Sequence, residues 1–499
     1  MYEVPTSAEW MTLLKFTSPL IALFVSAAVA LLFSAFLEDE ESSFPGYLSL
    51  AGLAASFALA WQLWPQAEGA RIAMLAIDRM ALLSWMIIAV AGIFASAVSI
   101  PYLSLPACRS PEGGVSPVSR GDYFSLLLFS SFGMGVLVAA GDLVAVLVGL
   151  ETMSLAAYAL AGSLRGRAAS LEGALKYFLM GAFATAFFAM GIAFIIGSAG
   201  TTDLAMLSER AADVVEGEGR SFFLFGCAMA LIGFAFKIAA VPFHSWAPDA
   251  YDGAPTPIAA LMATGIKAAA VVALARFAFS APVHAGALWG GLIFALAIAT
   301  MFVGNLAAIR QDNLKRMLAY SSIAHAGYLL VAFPSMLSYP TSSLRAILLY
   351  LVAYVVMTAG AFAAVAAIEE RCGSADIQGI QGMGRRRPWL AAAFTLFLLS
   401  LAGFPPTLGF FGKYYLFLSA VRGGDIALVV AAVLASVISV YYYLRPVVVM
   451  YFYGEKTREE KTAPLSPAIV AVLAVAAAAV IAFGILPGNL VALIEGTVF

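Results

Sequence analysis

Between residues 16 and 486 the sequence carries fourteen apolar windows of roughly membrane-crossing length. A helix needs about 20 mostly apolar residues to cross a hydrocarbon core. The windows lie near 16–37, 47–64, 79–100, 123–140, 143–162, 171–197 and 222–250, then 257–279, 288–309, 314–333, 345–368, 389–421, 425–452 and 467–486. The fold class this dictates is an all-α polytopic membrane protein, because helices keep every backbone hydrogen bond within the segment. Composition agrees. Only 11% of the 499 residues are charged and 63% are hydrophobic, whereas soluble chains carry roughly 25% charged residues. Disorder needs the opposite balance. Three distant cysteines, Cys108, Cys227 and Cys372, make no disulfide framework. A net charge of -2 gives no basic surface for nucleic acid. The apolar run from Ile21 to Phe36 is long for a signal sequence and lacks a strongly basic leader, so it reads as the first membrane helix.

Fourteen spans place both termini on one side. Loops after odd-numbered spans, with the adjoining helix ends, hold fifteen of the Lys and Arg residues, from Arg109 to Lys461; the opposite side holds eight. Basic residues concentrate in cytoplasmic loops, so the termini are expected on the outer, periplasmic side. The acidic run Glu38-Asp39-Glu40-Glu41 then faces the cytoplasm, which the rule tolerates.

Two spans cannot be straight helices. The seventh contains Pro242 and Pro248, and the twelfth carries Gly403-Phe404-Pro405-Pro406 at its middle. Proline removes a backbone donor and clashes with the preceding turn. Broken backbone at membrane depth persists only where protein or a wet cavity satisfies it. The two breaks lie five spans apart, an odd offset, so helices 4–8 and 9–13 would form repeats of inverted topology. Paired interrupted helices in corresponding positions point to a transport site; simple proline kinks are the plainer alternative. The expected organisation is three helices in residues 1–122, repeats in 123–279 and 288–452, and a last helix in 467–499.

Five ionisable residues sit within spans: Glu151, Lys176, Lys237, Lys267 and Lys413. A charge at the bilayer centre costs about 2.5–3.5 kcal/mol on insertion scales. Glu151 is too short to reach the surface from its position and is either functional or half of a structural ion pair. Lys267 is near the centre of its span, about 15 Å from either end at 1.5 Å per residue. Lys237 precedes the Pro242 break and Lys413 follows the Pro405-Pro406 break as its counterpart; each could instead extend toward water. Lys176 is close to the end of its span and four residues from Glu172, so pairing on one helix face competes with a functional role. A lysine out of water holds its proton less tightly, and a nearby carboxylate restores the grip. A glutamate followed by lysines therefore suits proton relay better than sodium binding, which wants several oxygen ligands. His244 and His325 are candidate neutral links, or simply hydrogen-bonding groups, and His284 reads as a loop residue. No motif for redox chemistry or cofactor ligation is present in the sequence.

The blocks ALKYFLMGAFATAF, FKIAAVPFHSWAPDAYDGAPTP, NLAAIRQDNLKRMLAYSSIAHAGY and GFPPTLGFFGKYYLF together resemble the antiporter-like subunits of respiratory complex I, the NADH–quinone oxidoreductase. The resemblance covers about residues 120–450. The wording at Leu150–Leu155 and Tyr251–Pro257, with a lysine at 413, is similar to the N-type branch of that family. It implies fourteen helices with inverted five-helix repeats and discontinuous helices 7 and 12. It also implies that Glu151 pairs with Lys237, that Lys267 is the central proton carrier and Lys413 the terminal one, and that Lys176 takes part. The enzyme's FMN, iron–sulfur clusters and quinone would sit in other subunits, with none in this chain. Partners would be an M-type antiporter-like subunit, a small K-type subunit and the lipid of a bacterial inner membrane. The alternatives are a subunit of a multisubunit cation/proton antiporter, or a membrane-arm scaffold whose lysines only form ion pairs.

Overall fold

A computed structural model of the chain describes residues 7–36, 42–66, 69–105, 108, 119–280, 286–454 and 464–497. The acidic run at 38–41, Arg109, His284, Lys456, Arg458 and Lys461 lie outside the described residues. Among the described residues, thirteen helices are long and apolar enough to cross a membrane. The shorter pair at Pro388–Ala402 and Leu408–Gly423 supplies the fourteenth crossing.

The first three crossings are α1 (Ser7–Phe36), α2 (Phe44–Leu63) and α3 (Arg79–Tyr102). A small antiparallel hairpin, β1 (Ala70–Ile72) and β2 (Leu75–Ile77), joins the last two. The first repeat comprises α4 (Arg120–Ala139), α5 (Leu143–Ala161) and α6 (Ala168–Ala199), then a surface helix α7 (Leu204–Glu216). It continues with the broken seventh crossing, α8 (Arg220–Lys237) and α9 (Trp246–Gly253), and with an eighth assembled from α10 (Thr256–Leu261), a π-helical turn at Met262–Ile266 and α11 (Lys267–Ser280). The second repeat comprises α12 (Ala287–Ile309), α13 (Leu314–Leu330) and α14 (Pro340–Cys372). A short turn α15 (Met383–Arg386) then leads into the broken pair α16 (Pro388–Ala402) and α17 (Leu408–Gly423), and α18 (Ile426–Phe452) closes the repeat. The last crossing is α19 (Pro467–Ile485), followed by a short α20 (Gly488–Glu495).

Polar residues at the ends of the apolar runs start these helices. Asp142 accepts from the Val144 amide at 2.7 Å, Asp78 from Ala81 at 2.8 Å and Asn313 from Lys315 at 2.8 Å, each pairing an amide left over at a helix start. Within the bilayer, helices associate by close packing rather than by hydrophobic drive. The first two helices of each repeat show how. A side chain on Gly133 of α4 would collide with Met153, and one on Gly149 of α5 with Leu137. In the second repeat Gly304 of α12 abuts Ala324, and Gly327 of α13 abuts Met301.

The eighth crossing is buried over all but its last turns, where Phe279 is exposed, and the eleventh, α14, is buried over most of its length. These two form the spine of the molecule. Helices α1, α6, α18 and α19 show large apolar side chains outward, as lipid-facing or subunit-facing helices do.

Candidate functional site

Both expected helix breaks are present, and protein groups satisfy each. In the seventh crossing α8 ends at Lys237, and Ala239 takes a left-handed conformation at φ 59°. Such a residue costs about 1–2 kcal/mol when it is not glycine. The Val241 amide, freed by the break, donates to the Thr300 hydroxyl of α12 at 3.0 Å. Trp246, the first residue of α9, donates from its indole to the Phe236 carbonyl at 3.2 Å and so fastens one half-helix to the other. In the twelfth crossing Gly403 caps α16 at φ 90°, and the Gly409 amide donates to the Ser400 hydroxyl at 3.1 Å. The prolines, Pro242 in one case and Pro405 and Pro406 in the other, thus mark real interruptions.

Lys237 is 2% exposed. Its ammonium stands among aromatic faces, 5.0 Å from the centroid of Tyr177, 5.2 Å from Tyr158 and 5.5 Å from Phe236. The Tyr177 hydroxyl is 3.4 Å away, and that ring stacks on Trp246 with centroids 4.1 Å apart. Ring faces attract a desolvated cation with roughly 2 kcal/mol each at best. Three of them replace much of the hydration this ammonium has lost. No sequence pattern announces such a cage, because Tyr and Phe are common throughout apolar spans.

Glu151 is half-buried on α5, where its carboxylate accepts from the Thr185 hydroxyl of α6 at 2.6 Å. It makes no ion pair with Lys237 within 4 Å among the described residues. The contact pair implied by the family resemblance is therefore not formed. Along the same helix, Val144, Val148 and Leu155 are more than a third exposed, so Glu151 opens toward an apolar outer face.

Lys267 directly follows the π turn and is 1% exposed. Its ammonium donates to both the carbonyl and the hydroxyl of Ser322 in α13. The Tyr354 hydroxyl of α14 donates to the same Ser322 oxygen at 2.8 Å. One turn further along α13, His325 bonds through Nδ1 to the Tyr350 hydroxyl and through Nε2 to the Tyr443 hydroxyl at 3.0 Å. Tyr443 also bonds to Ser321, and its ring adjoins that of Tyr442 at 4.4 Å. Tyr442 donates to the Asn305 amide oxygen at 3.0 Å, and Asn305 donates to Tyr328 at 3.0 Å. Lys413 lies over the Tyr328 ring, 4.8 Å from its centroid. Its ammonium donates to the Ala402 carbonyl at 2.9 Å and the Ser436 hydroxyl at 2.8 Å. Hydrogen bonds and ring contacts thus bring Lys267, His325 and Lys413 into one buried polar region, in which His325 meets the Lys267 group through the Tyr354 ring at 5.1 Å. The serines, the tyrosines and Asn305 that build it were not anticipated.

Two expected members stand apart. His244 lies in the break of the seventh crossing, where its Nδ1 is buried without a hydrogen-bond partner and bonds to none of the lysines. Lys176 is 43% exposed and paired twice, with Glu172 at 2.6 Å and Asp249 at 2.7 Å. The other Asp249 oxygen accepts from Arg316 at 2.8 Å, which ties the first repeat to the second. Of the basic residues counted as loop charges, Arg120, Lys315 and Arg371 are buried, Lys315 most deeply. Lys315, counted among loop charges because it stands at the start of its span, is 1% exposed. It donates to the carbonyls of Asp252 and Ala254 at 2.7 Å each and lies 3.9 Å from Glu369.

Residues 140–439 match the family described as NADH:quinone oxidoreductase/Mrp antiporter, TM. The chain is 40% identical over 476 residues to NADH-quinone oxidoreductase subunit N of Trichlorobacter lovleyi, covering 94% of this chain and 93% of that one. It is 38% identical to subunit N 2 of Roseiflexus castenholzii, covering 97% and 96%. Among solved structures it superposes on a chain of respiratory complex I from Thermus thermophilus with bound aureothin, at a TM-score of 0.78 and 32% identity, over 96% of this chain and all of that one. The matched residues 140–439 include both broken crossings and Glu151, Lys237, Lys267 and Lys413. This chain belongs to the NADH-quinone oxidoreductase subunit N family of antiporter-like membrane proteins.

Proposed function

We propose that the chain moves protons across the bacterial inner membrane within the membrane arm of an NADH:quinone oxidoreductase, using Glu151, Lys237, Lys267 and Lys413 as carriers and His325 as a link. The observation that carries this reading is the buried polar region that gathers Lys267, His325 and Lys413. Hydroxyl and imidazole groups can each accept one proton and donate another. Ordinary membrane scaffolding needs no such gathering of proton-exchanging groups around buried lysines. FMN, the iron–sulfur clusters and the quinone belong in this reading to other subunits, and this chain does no electron chemistry.

Drive then reaches the lysines as charge. Two unit charges ~10 Å apart interact by about 1.7 kcal/mol at an effective dielectric of 20. That is more than a tenfold change in a protonation equilibrium, since 1.36 kcal/mol corresponds to one pKa unit. Neutralising Glu151 changes how firmly Lys237 holds its proton, and each later carrier responds to the one before it.

The outward-facing position of Glu151 supports a neighbouring subunit on the α5–α6 side. A carboxylate with one hydroxyl partner is costly against lipid, so a polar or cationic group of an adjacent M-type or K-type subunit completes its surroundings. Both termini lie on the periplasmic side, as the distribution of basic residues favours.

The decisive experiment uses the whole complex in proteoliposomes. Lys237→Ala and Lys267→Ala lower NADH-driven acidification of the lumen while the complex still assembles. Full pumping by correctly assembled variants sinks the proposal.

A further inference from the structure

Helix α14 begins and α17 ends at the same membrane surface, and the short α20 packs against α14 there. Between the three is a cavity of about 670 Å³, within the roughly 300–1,000 Å³ of sites that hold small ligands. Arg345 of α14 and Arg422 of α17 both line it. Arg345 donates to the Glu495 carbonyl of α20 at 3.1 Å, and Arg422 donates to the Ser342 hydroxyl of α14 at 3.4 Å. Each guanidinium thus links two of the three walls. Glu495 is the other charged lining residue, so two guanidiniums against one carboxylate leave the lining with an excess of positive charge.

Polarity changes with depth along both long helices. Four residues inward from Arg345, α14 contributes Leu349; four residues inward from Arg422, α17 contributes Leu418, and then Tyr414. Four residues rise about 6 Å, so each wall passes from cationic to apolar within little more than a turn. The mouth also carries the hydroxyl residues Ser338, Thr341 and Ser342. Tyr414, at membrane depth, is 50% exposed, so the apolar end opens sideways, where acyl chains run. A charged end at the surface and an apolar end at depth is the layout of an amphiphile lying along a helix pair.

We infer that this cavity binds one acidic phospholipid of the phosphatidylglycerol type, with its phosphate between Arg345 and Arg422 and the start of an acyl chain along Leu349, Leu418 and Tyr414. A phosphodiester carries one negative charge, which offsets the excess positive charge of the lining. Guanidinium suits it because two parallel N–H donors match two phosphate oxygens. The hydroxyl residues at the mouth meet the polyol headgroup. A free phosphate ion would match the charge and leave the apolar half unfilled. The lipid acts as a clamp, holding the end of the helix that carries Lys413 to the start of the buried spine. The inference needs only the membrane fold and is independent of the carrier roles of the lysines.

The test uses the intact complex in detergent, stripped of lipid and supplied with phosphatidylglycerol that carries a photoactivatable diazirine near the start of one acyl chain. Crosslinked peptides are identified by mass spectrometry. The wild type should crosslink within 346–349 or 414–418, and unlabelled phosphatidylglycerol should compete. Arg345→Gln and Arg422→Gln should each lower the yield about fivefold, as expected for one guanidinium beside an anionic headgroup. Leu418→Trp fills the apolar half, leaves both charges in place and should lower the yield as well. Arg220→Gln, an exposed arginine at the start of α8 outside the cavity, should leave it unchanged. Undiminished crosslinking in Arg422→Gln and Leu418→Trp overturns the inference, even if Arg345→Gln prevents assembly. Competition by inorganic phosphate as strong as by lipid shows an anion site and overturns it too. Equal crosslinking by a phosphatidylethanolamine probe refutes selection for an acidic headgroup. Absence of lipid crosslinks in these segments, with a neighbouring subunit crosslinked there instead, assigns the cavity to a protein partner and overturns the inference.

Discussion

Lys413 reaches back across the break in its crossing and donates to the carbonyl of Ala402, the last residue of the preceding half-helix. The carboxyl end of a helix carries a partial negative charge and favours a cation, by up to ~2 kcal/mol where it is partly buried. Lys237 achieves a similar placement differently, being itself the last residue of its half-helix. The two lysines are thus counterparts in electrostatic setting, though they stand on opposite sides of their breaks. Gly403 makes the approach of Lys413 possible: a Cβ there would stand 3.0 Å from the lysine Cδ, on a backbone at φ 90°. Gly403→Ala is expected to destabilise the break by about 1–3 kcal/mol and to displace Lys413. The measurement is NADH-driven pumping beside thermal stability, with pumping falling further than the loss of assembled complex explains. Equal losses in both would refute a specific effect on the lysine.

The cage around Lys237 separates two contributions of one residue. Tyr177→Phe keeps the ring face at 5.0 Å and the stack on Trp246 but removes the hydroxyl 3.4 Å from the ammonium. At 3.4 Å that hydrogen bond is weak, so a small loss of pumping is expected. Tyr177→Leu removes the ring and the stack together, about 1–2 kcal/mol for the cation–ring attraction alone, and pumping should fall severalfold. Equal activity in the two variants would show that the ring faces do not hold Lys237.

The breaks were legible in the sequence because proline and glycine have local consequences that no distant packing reverses. The lysines were legible because a charge within an apolar run is conspicuous by itself. What was not legible depends on relations between helices. Lys315 looks like a loop charge until α14 brings Glu369 to it and the start of α10 brings the Ala254 carbonyl. Tyr328, Tyr350 and Tyr442 resemble dozens of other aromatic residues in spans; only the fold shows whose hydroxyls meet. The surface helix α7 and the hairpin β1–β2 were absent from the sequence reading because both lie outside the apolar windows, and strands of three residues carry little pattern. That Glu151 and Lys237 make no contact, likewise, follows from how α5 and α8 are each seated against α6.

Two ion-pair groups should respond very differently to loss of a carboxylate. Arg276 and Asp78 form a double hydrogen bond at 2.8 and 2.5 Å with side chains 11% and 17% exposed, and Asp78 also caps α3. Breaking such a buried pair costs about 3–5 kcal/mol, so Asp78→Ala is expected to lower the thermal stability of the complex strongly. The Lys176–Asp249–Arg316 group is about a third exposed, and solvent screening leaves each pair little net stabilising effect. Asp249→Asn should therefore change stability little. Differential scanning measurements on the two purified variants decide it, and a larger loss in Asp249→Asn would reverse the ranking.

Cys108 lies outside the spanning helices, between α3 and α4, and is 6% exposed. Its thiol is pushed up to about 11, first by burial and next by the Glu369 carboxylate, with Arg167 and Lys315 acting in the opposite sense. Only the thiolate alkylates. A raised value means that the reactive form is scarce at neutral pH and grows as pH rises toward 11. In a Cys227→Ser, Cys372→Ser background, alkylation at pH 8 should be roughly two-hundredfold slower than for a free thiol near 8.5. Burial alone would also slow the reagent, so the informative comparison is Glu369→Gln. That substitution leaves the size of the side chain nearly unchanged and removes one negative charge, which favours the thiolate at lower pH. The alkylation profile should shift to lower pH and the rate at pH 8 should rise. An unshifted profile would mean that the Glu369 charge does not reach Cys108. The link between the end of α3 and the Lys315–Glu369 pair would then be one of packing alone.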